Sequence, residues 1–231
     1  MKIDKIYIIH YKKLTDRKEY LDSILKTFNI DYEYIDCFDR EIISKEDVLL
    51  YYNPTLELWN KRTSNLYRYN FEYRSLTLPE VCNSLSHLKA LEHVINEDVE
   101  NVLVIEDDAV FCDNFIEKLN NILNLLPQDY NMLFLSTYKS VEELEIGHLC
   151  PKSIKTDTIF IKNHPSTRTV DSYVINKTSA KILYDNIKSI ILPFDFELNF
   201  FLKELNFNVW WCKDGLINQG SSIGKYKSSI R

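Results

Sequence analysis

Three consecutive carboxylates, Glu106, Asp107 and Asp108, follow the unbroken apolar run Val102-Leu103-Val104-Ile105. Such a run reads as a strand buried on both faces, as in a parallel sheet covered by helices. The acids then stand at the strand's carboxyl end, where open α/β sheets bind ligands. Side chains alternate along an extended chain, so Glu106 and Asp108 point one way and Asp107 the other. Two carboxylates a pleat apart repel unless a cation or a proton lies between them. A hard divalent ion, Mg2+ or Mn2+, takes such oxygen ligands and commonly arrives with a phosphate-bearing substrate. The plainer alternative is an acidic turn leading into a helix capped by Asp113.

Other residues could join that chemistry. Lys13 and Arg17 lie in the loop after a first apolar run, Ile6 to Ile9, and could neutralise phosphate, or be solvated loop charges. Asp195 stands between Pro193-Phe194 and Phe196 at a helix start, so it either caps that helix or is placed for proton transfer. His87 shares a helical turn with Asn83, Ser84 and Ser86. A lone helical histidine is more often a satisfied structural residue than a catalyst. The small, basic stretch from Asn218 to Lys227 could order over a diphosphate or fray.

The elements that must position these groups follow from periodicity. Ile6 to Ile9 reads as a strand. A helix with Leu21, Ile24, Leu25 and Phe28 on one face follows, opened by Thr15 or Asp16, and Tyr32 to Cys37 is a second strand. This strand–helix–strand opening predicts a parallel crossover. Residues 38–78 lose clear periodicity and are rich in tyrosine, which predicts an insertion that serves an acceptor or a satellite core. Pro79-Glu80 opens a helix through Ile95. A helix over 113–126, a strand at 132–135, short strands at 158–161 and 172–175, a helix over 179–190 capped by Thr178, a helix after Asp195 and a strand at 209–212 complete the pattern. Residues 139–146 read as a solvated connection. Without repeat or linker, residues 1–231 read as one α/β domain: a mostly parallel central sheet flanked by helices.

Bulk properties narrow the class. The 231 residues carry a net charge of −6, with 45% hydrophobic and 27% charged residues. That is an ordinary water-soluble composition and disfavours a nucleic-acid or membrane-surface binder. No apolar run approaches the roughly 18–20 residues of a membrane span. The start, Met1 to Lys5, meets charge too early for a signal peptide, so a cytoplasmic protein is expected. The five cysteines are scattered and read as reduced thiols. Only four glycines occur, which excludes G-x-G-x-x-G and P-loop cradles. The Asn-, Ile- and Lys-rich composition suits an AT-rich bacterial or large DNA-virus genome.

Six blocks, in order along nearly the whole chain, resemble glycosyltransferase family 25, the lipooligosaccharide-type and collagen-type galactosyl- and glucosyltransferases. They are Ile6 to Ile9 with Asp16-Arg17, Glu80-Val81 with Leu85-Ser86-His87, Ile105 to Asp108, Ser172 to Ile175 with Ala180, Pro193-Phe194-Asp195, and Gln219 with Ser222-Ile223. The resemblance implies a GT-A-type, Rossmann-like fold with a D-x-D-like metal motif at Glu106-Asp107-Asp108. It implies an inverting hexosyltransferase that moves galactose or glucose from a UDP-sugar to a hydroxyl of a glycan or glycosylated protein. In that reading Glu106 and Asp108 hold Mn2+ or Mg2+. His10, Arg17, Ser86, His87, Asp107, Gln219, Ser222 and Lys225 surround the donor, and Asp195 is the base. Two positions depart from the family pattern: His10 stands where asparagine is usual, and Cys82-Asn83 where Gly-Cys is usual. The departures leave a second reading, an inactive relative that serves as a binding module. A metal-dependent phosphohydrolase or nuclease would also cluster acids, but none of the five histidines is paired at ligand spacing.

Overall fold

The computed structural model describes residues 1–64, 72–136, 153–155, 159–162 and 169–230. The expected 139–146 connection lies outside them. The chain opens with β1 (Lys5–Ile9), α1 (Thr15–Phe28) and β2 (Asp31–Ile35). The two strands pair in parallel, Lys5 beside Asp31, as the opening pattern predicts. Later elements are α2 (Lys45–Tyr51), α3 (Leu56–Thr63), α4 (Leu78–Asn96), β3 (Asn101–Glu106), β4 (Ala109–Phe111), α5 (Phe115–Leu125) and β5 (Met132–Phe134). They are followed by β6 (Ser153–Lys155), β7 (Ile159–Lys162), β8 (Ser172–Asn176), α6 (Lys177–Asn186), α7 (Phe194–Glu204), β9 (Val209–Cys212) and β10 (Ile217–Gln219).

Among the described residues, eight strands form one sheet in the order β2-β1-β3-β8-β5-β9-β7-β6. Among them only β8 and β7 run against the common direction. The sheet therefore keeps the mostly parallel character expected, with β8 reversed at its centre. Alternation along β3 explains the two helical layers. Val102 and Val104 enter a core with Leu85, Leu91, Leu183 and Phe194 from α4, α6 and α7. Leu103 and Ile105 enter a second core with Leu21, Leu25, Leu119 and Leu123 from α1 and α5. All four β3 aliphatics are fully buried, each worth about 1.5–3 kcal/mol of transfer free energy. An acid at Val104 would break that layer.

Several local expectations are corrected. Residues 38–78 are not without structure of their own. Ser44 and Thr55 cap α2 and α3 by accepting from Asp47 N at 2.9 Å and Leu58 N at 3.2 Å. These helices are too short for apolar periodicity to reveal, and their cap residues were the available signal. Trp59 buries against Ile191 and Leu192. Arg62 places its Nε 3.0 Å from Glu197 Oε1 and its guanidinium over Phe200 and Phe201, which ties α3 to α7. Neither Thr15 nor Asp16 caps α1; Leu14 precedes it without a side-chain cap. Asp113 does not cap α5, whose N-cap is Asn114 with φ 56°. Asn176, not Thr178, caps α6: it accepts from Ser179 N at 2.8 Å and donates to Tyr130 O at 2.7 Å.

Candidate active site

The carboxyl ends of β1 and β3 lie side by side, with Ile9 opposite Glu106. Asp107 and Asp108 make the turn into β4, and they diverge as the pleat requires. Asp107 turns toward the β1 loop. Its Oδ2 lies 3.0 Å from His10 Nδ1 and accepts from Tyr11 N at 3.1 Å, while Oδ1 accepts from Arg17 Nη1 at 2.5 Å. All three side chains are buried, and the Asp107 and Arg17 charges hold each other. Asp107 thus aims Arg17 and fixes the loop, with little oxygen left for a ligand.

Asp108 is held differently. Its backbone carbonyl accepts from Gly220 N at 2.8 Å and its Oδ2 from Ser221 N at 3.0 Å. Its Oδ1 is buried with no hydrogen-bond partner. Burial, with Glu106 nearby, pushes this carboxyl up to about 6. Gly220 is required there: a Cβ would sit 2.6 Å from Asp108 O and 2.5 Å from Tyr226 Cδ2. Glu106 Oε1 accepts from Asn83 Nδ2 at 2.9 Å and lies 3.5 Å from His87 Nε2.

Around these acids is a pocket of about 80 Å³. It brings together His10, Arg17, Ser86, Glu106, Asp107, Asp108 and Gln219 from the expected set. Four expected residues stay outside its walls. His87 is fully buried beneath Glu106, stacked on Phe194 at 4.6 Å with Nδ1 3.2 Å from Tyr173 Oη. Ser222 is exposed and donates to Gln219 O at 2.7 Å. Lys225 places its ammonium 3.4 Å from the Tyr20 ring. Asp195 is half-buried in the first turn of α7, next to the Phe194 that stacks on His87, and does not line the pocket. Its Oδ1 accepts from Phe196 N at 2.9 Å, and burial, with Glu106 and Glu80 adding to it, lifts its carboxyl to about 6.

Three more charged residues belong to the site and escaped the sequence reading. Asp39 and Arg40, just past β2, line the pocket. The only hint of them was their place after a strand end. Asp171 precedes the reversed β8, and its carbonyl accepts from Glu106 N at 2.9 Å. Its carboxylate meets the hydroxyls of Thr169 and Ser172, and burial, with Glu106 and Asp108 nearby, raises it to about 7. No local pattern signals that an antiparallel strand will deliver its first residue to this edge.

Among the described residues, the carboxylates of Asp39, Glu106, Asp107 and Asp108 face only Arg17, Arg40 and His10 in this pocket. Arg17 answers Asp107, which leaves Glu106 and Asp108 short of positive charge. The unpartnered Oδ1 of Asp108 fits a hard cation, whose donors are carboxylate oxygens.

An α/β sheet with an acidic, arginine-bearing pocket at the carboxyl ends of its strands is a ligand-binding enzyme scaffold. Residues 3–198 match the family model for glycosyltransferase family 25 (LPS biosynthesis protein), and the chain belongs to that family. It is 26% identical over 138 residues to procollagen galactosyltransferase 2 of Mus musculus, covering 58% of this chain and 21% of that protein. It is 24% identical over 147 residues to a glycosyltransferase 25 family member of Drosophila melanogaster, covering 63% and 23%. The matched stretch therefore spans about a fifth of these relatives. Among solved structures it is similar to a protein from STIV, with TM-score 0.41, 12% identity and coverage of 92% and 83%.

Proposed function

We propose that residues 1–231 act as one transferase domain that moves a hexose, galactose or glucose, from a UDP-sugar to a hydroxyl of a glycan or glycosylated protein. The observation that carries this reading is the unpartnered Asp108 oxygen beside Glu106, in a pocket that also holds Arg17. Glu106 and Asp108 would hold Mn2+ or Mg2+, which would supply the positive charge a departing diphosphate needs. Arg17, aimed by Asp107, donates to the phosphate oxygens. His10 fills the place of the family's usual asparagine and keeps the loop on Asp107. His87 and Asn83 fix the Glu106 carboxylate from below.

Asp195 takes the proton of the attacking hydroxyl as the new bond forms at the anomeric carbon and the bond to UDP breaks. With its carboxyl lifted to about 6, it is a stronger base than an ordinary aspartate and still ionised at neutral pH. Attack from the face opposite UDP inverts the anomeric centre. The capped α2–α3 segment, docked beside α7 through Arg62 and Glu197, would choose the acceptor.

Calorimetry of UDP, UDP-galactose and UDP-glucose with and without Mn2+, on wild type and Asp108→Ala, tests the donor half. Metal-dependent binding that disappears in the variant is expected. Absence of binding by all three would sink the UDP-sugar reading.

A further inference from the structure

The 80 Å³ pocket is far too small for a nucleotide, since small-molecule sites commonly run to roughly 300–1,000 Å³. The chain itself fills part of it. Ser228, Ser229 and Ile230 form part of its wall. They arrive as a strap pinned at Gly220, whose carbonyl accepts from Lys225 N at 2.9 Å and Tyr226 N at 3.2 Å. Tyr226 lies edge-on to Tyr20 and under the Arg17 guanidinium. From there the strap's main chain meets both arginines of the pocket. Arg17 Nη2 donates to Lys227 O at 2.5 Å, and Arg40 Nη2 donates to Ser229 O at 3.3 Å. Arg40 is itself oriented by its guanidinium lying 4.2 Å from the Tyr11 ring centre.

We propose that Arg17 and Arg40 together form the diphosphate-binding pole of the site, and that the carbonyls of Lys227 and Ser229 occupy this pole until an anionic ligand displaces the strap. Two guanidiniums that converge on two main-chain oxygens are arranged as they would be for two phosphate oxygens. A charged acceptor makes the stronger hydrogen bond, so a diphosphate wins the exchange. The Asp107 bond stays in place throughout, because it uses Nη1 while the strap uses Nη2. Binding then opens the pocket and frees the last residues of the strap in one event. The inference deepens the donor-site reading and rests on it for the identity of the ligand, although any diphosphate serves to test it.

The Lys227–Ser228 bond reports the state of the strap directly, because its carbonyl is the one Arg17 holds. Limited trypsin digestion of the full chain is followed with inorganic pyrophosphate, with UDP, and without either, in Mg2+. Cleavage after Lys227 is expected to speed up several-fold at saturating anion. Arg40→Ala is expected to speed the same cleavage in the ligand-free chain and to weaken pyrophosphate binding about tenfold by calorimetry. Slower or unchanged cleavage at saturation would overturn the strap as a competitor and make it a lid or a bystander. Arg40→Ala without effect on either readout would remove Arg40 from the pole. Failure of both anions to bind the wild type would also overturn the proposal. Pyrophosphate-driven release with no binding of UDP or UDP-sugars would uphold it and defeat the UDP-sugar reading alone.

Discussion

The same parallel strands carry a charged cluster at each end, and the two clusters are built on opposite rules. At the amino end, Lys5 on β1 donates to Glu33 Oε2 at 2.6 Å and to Glu97 Oε2 at 2.7 Å. His93 Nδ1 lies 3.3 Å and 3.2 Å from the other oxygens of the same two acids. Glu33, His93 and Glu97 thus bring ligand-type atoms within 4.8 Å of one another, as a metal site would. Yet the lysine ammonium already bridges both carboxylates, and every acid there has met its cation. At the carboxyl end the acids outnumber the cations, one Asp108 oxygen has no partner, and Asp171 is met only by neutral hydroxyls among the described residues. Clustering of acids does not distinguish the two ends. What distinguishes them is whether charge is already balanced inside the chain, and an unbalanced cluster in a cleft is the one that marks a candidate site.

That contrast can be broken in graded steps. The largest effect is expected from Asp195→Asn, which should lower kcat by roughly 10²–10⁴-fold while leaving UDP affinity in place, measured by turnover beside calorimetry. In the wild type, activity should be present above about pH 6 and fall away below it, as the base takes up its proton. Next is Asp108→Asn, expected to cost roughly 10–100-fold in Mn2+ affinity by titration. The same change should raise the melting temperature of the free chain, because it removes the repulsion from Glu106.

A change in stability and not in binding is expected from Asp171→Asn. In the folded chain its carboxyl titrates near 7, above the usual value near 4, so the folded state binds that proton more tightly than the unfolded one. Its contribution to stability is therefore full below pH 4 and lost as pH rises through 7. Asparagine holds no such proton. The variant should gain up to about 4 kcal/mol over wild type between pH 4 and pH 8 in denaturant titrations, and an unchanged slope would show that Asp171 does not titrate there. The smallest effect belongs to the balanced end. Lys5→Met should cost about 1 kcal/mol, because its partners are partly exposed, and should leave nucleotide binding unchanged.

Much of this was legible in the residues themselves. The unbroken apolar run of β3, the alternation that separates Asp107 from its neighbours, the Pro79-Glu80 helix start and the Trp210-Trp211 strand are local patterns that tertiary packing preserved. His10, Asp107 and Asp108 meet Glu106 in the pocket because all four end or follow adjacent strands. The misses share a cause. Direction is invisible in a buried run, so nothing in Ser172 to Ile175 announced that β8 is reversed and presents Asp171 to the site edge. Arg40, Arg62 and Glu197 gain their meaning from partners 130 or more residues away, or from elements too short for periodicity, and a linear pattern does not register such pairings.

The reversed β8 has a consequence for how the molecule comes into being. It pairs with β3 on one side and β5 on the other, and these are the bonds that join the β2-β1-β3 set to the β5-β9 set. Glu106 N is satisfied by Asp171 O across that same seam. A nascent chain emerging from the ribosome can therefore assemble its first three parallel strands early, but its acidic edge stays unfinished until β8 and β9 have paired with β5 and residues 220 and 221 have closed on Asp108. The seam closes late, and the chemistry waits for it.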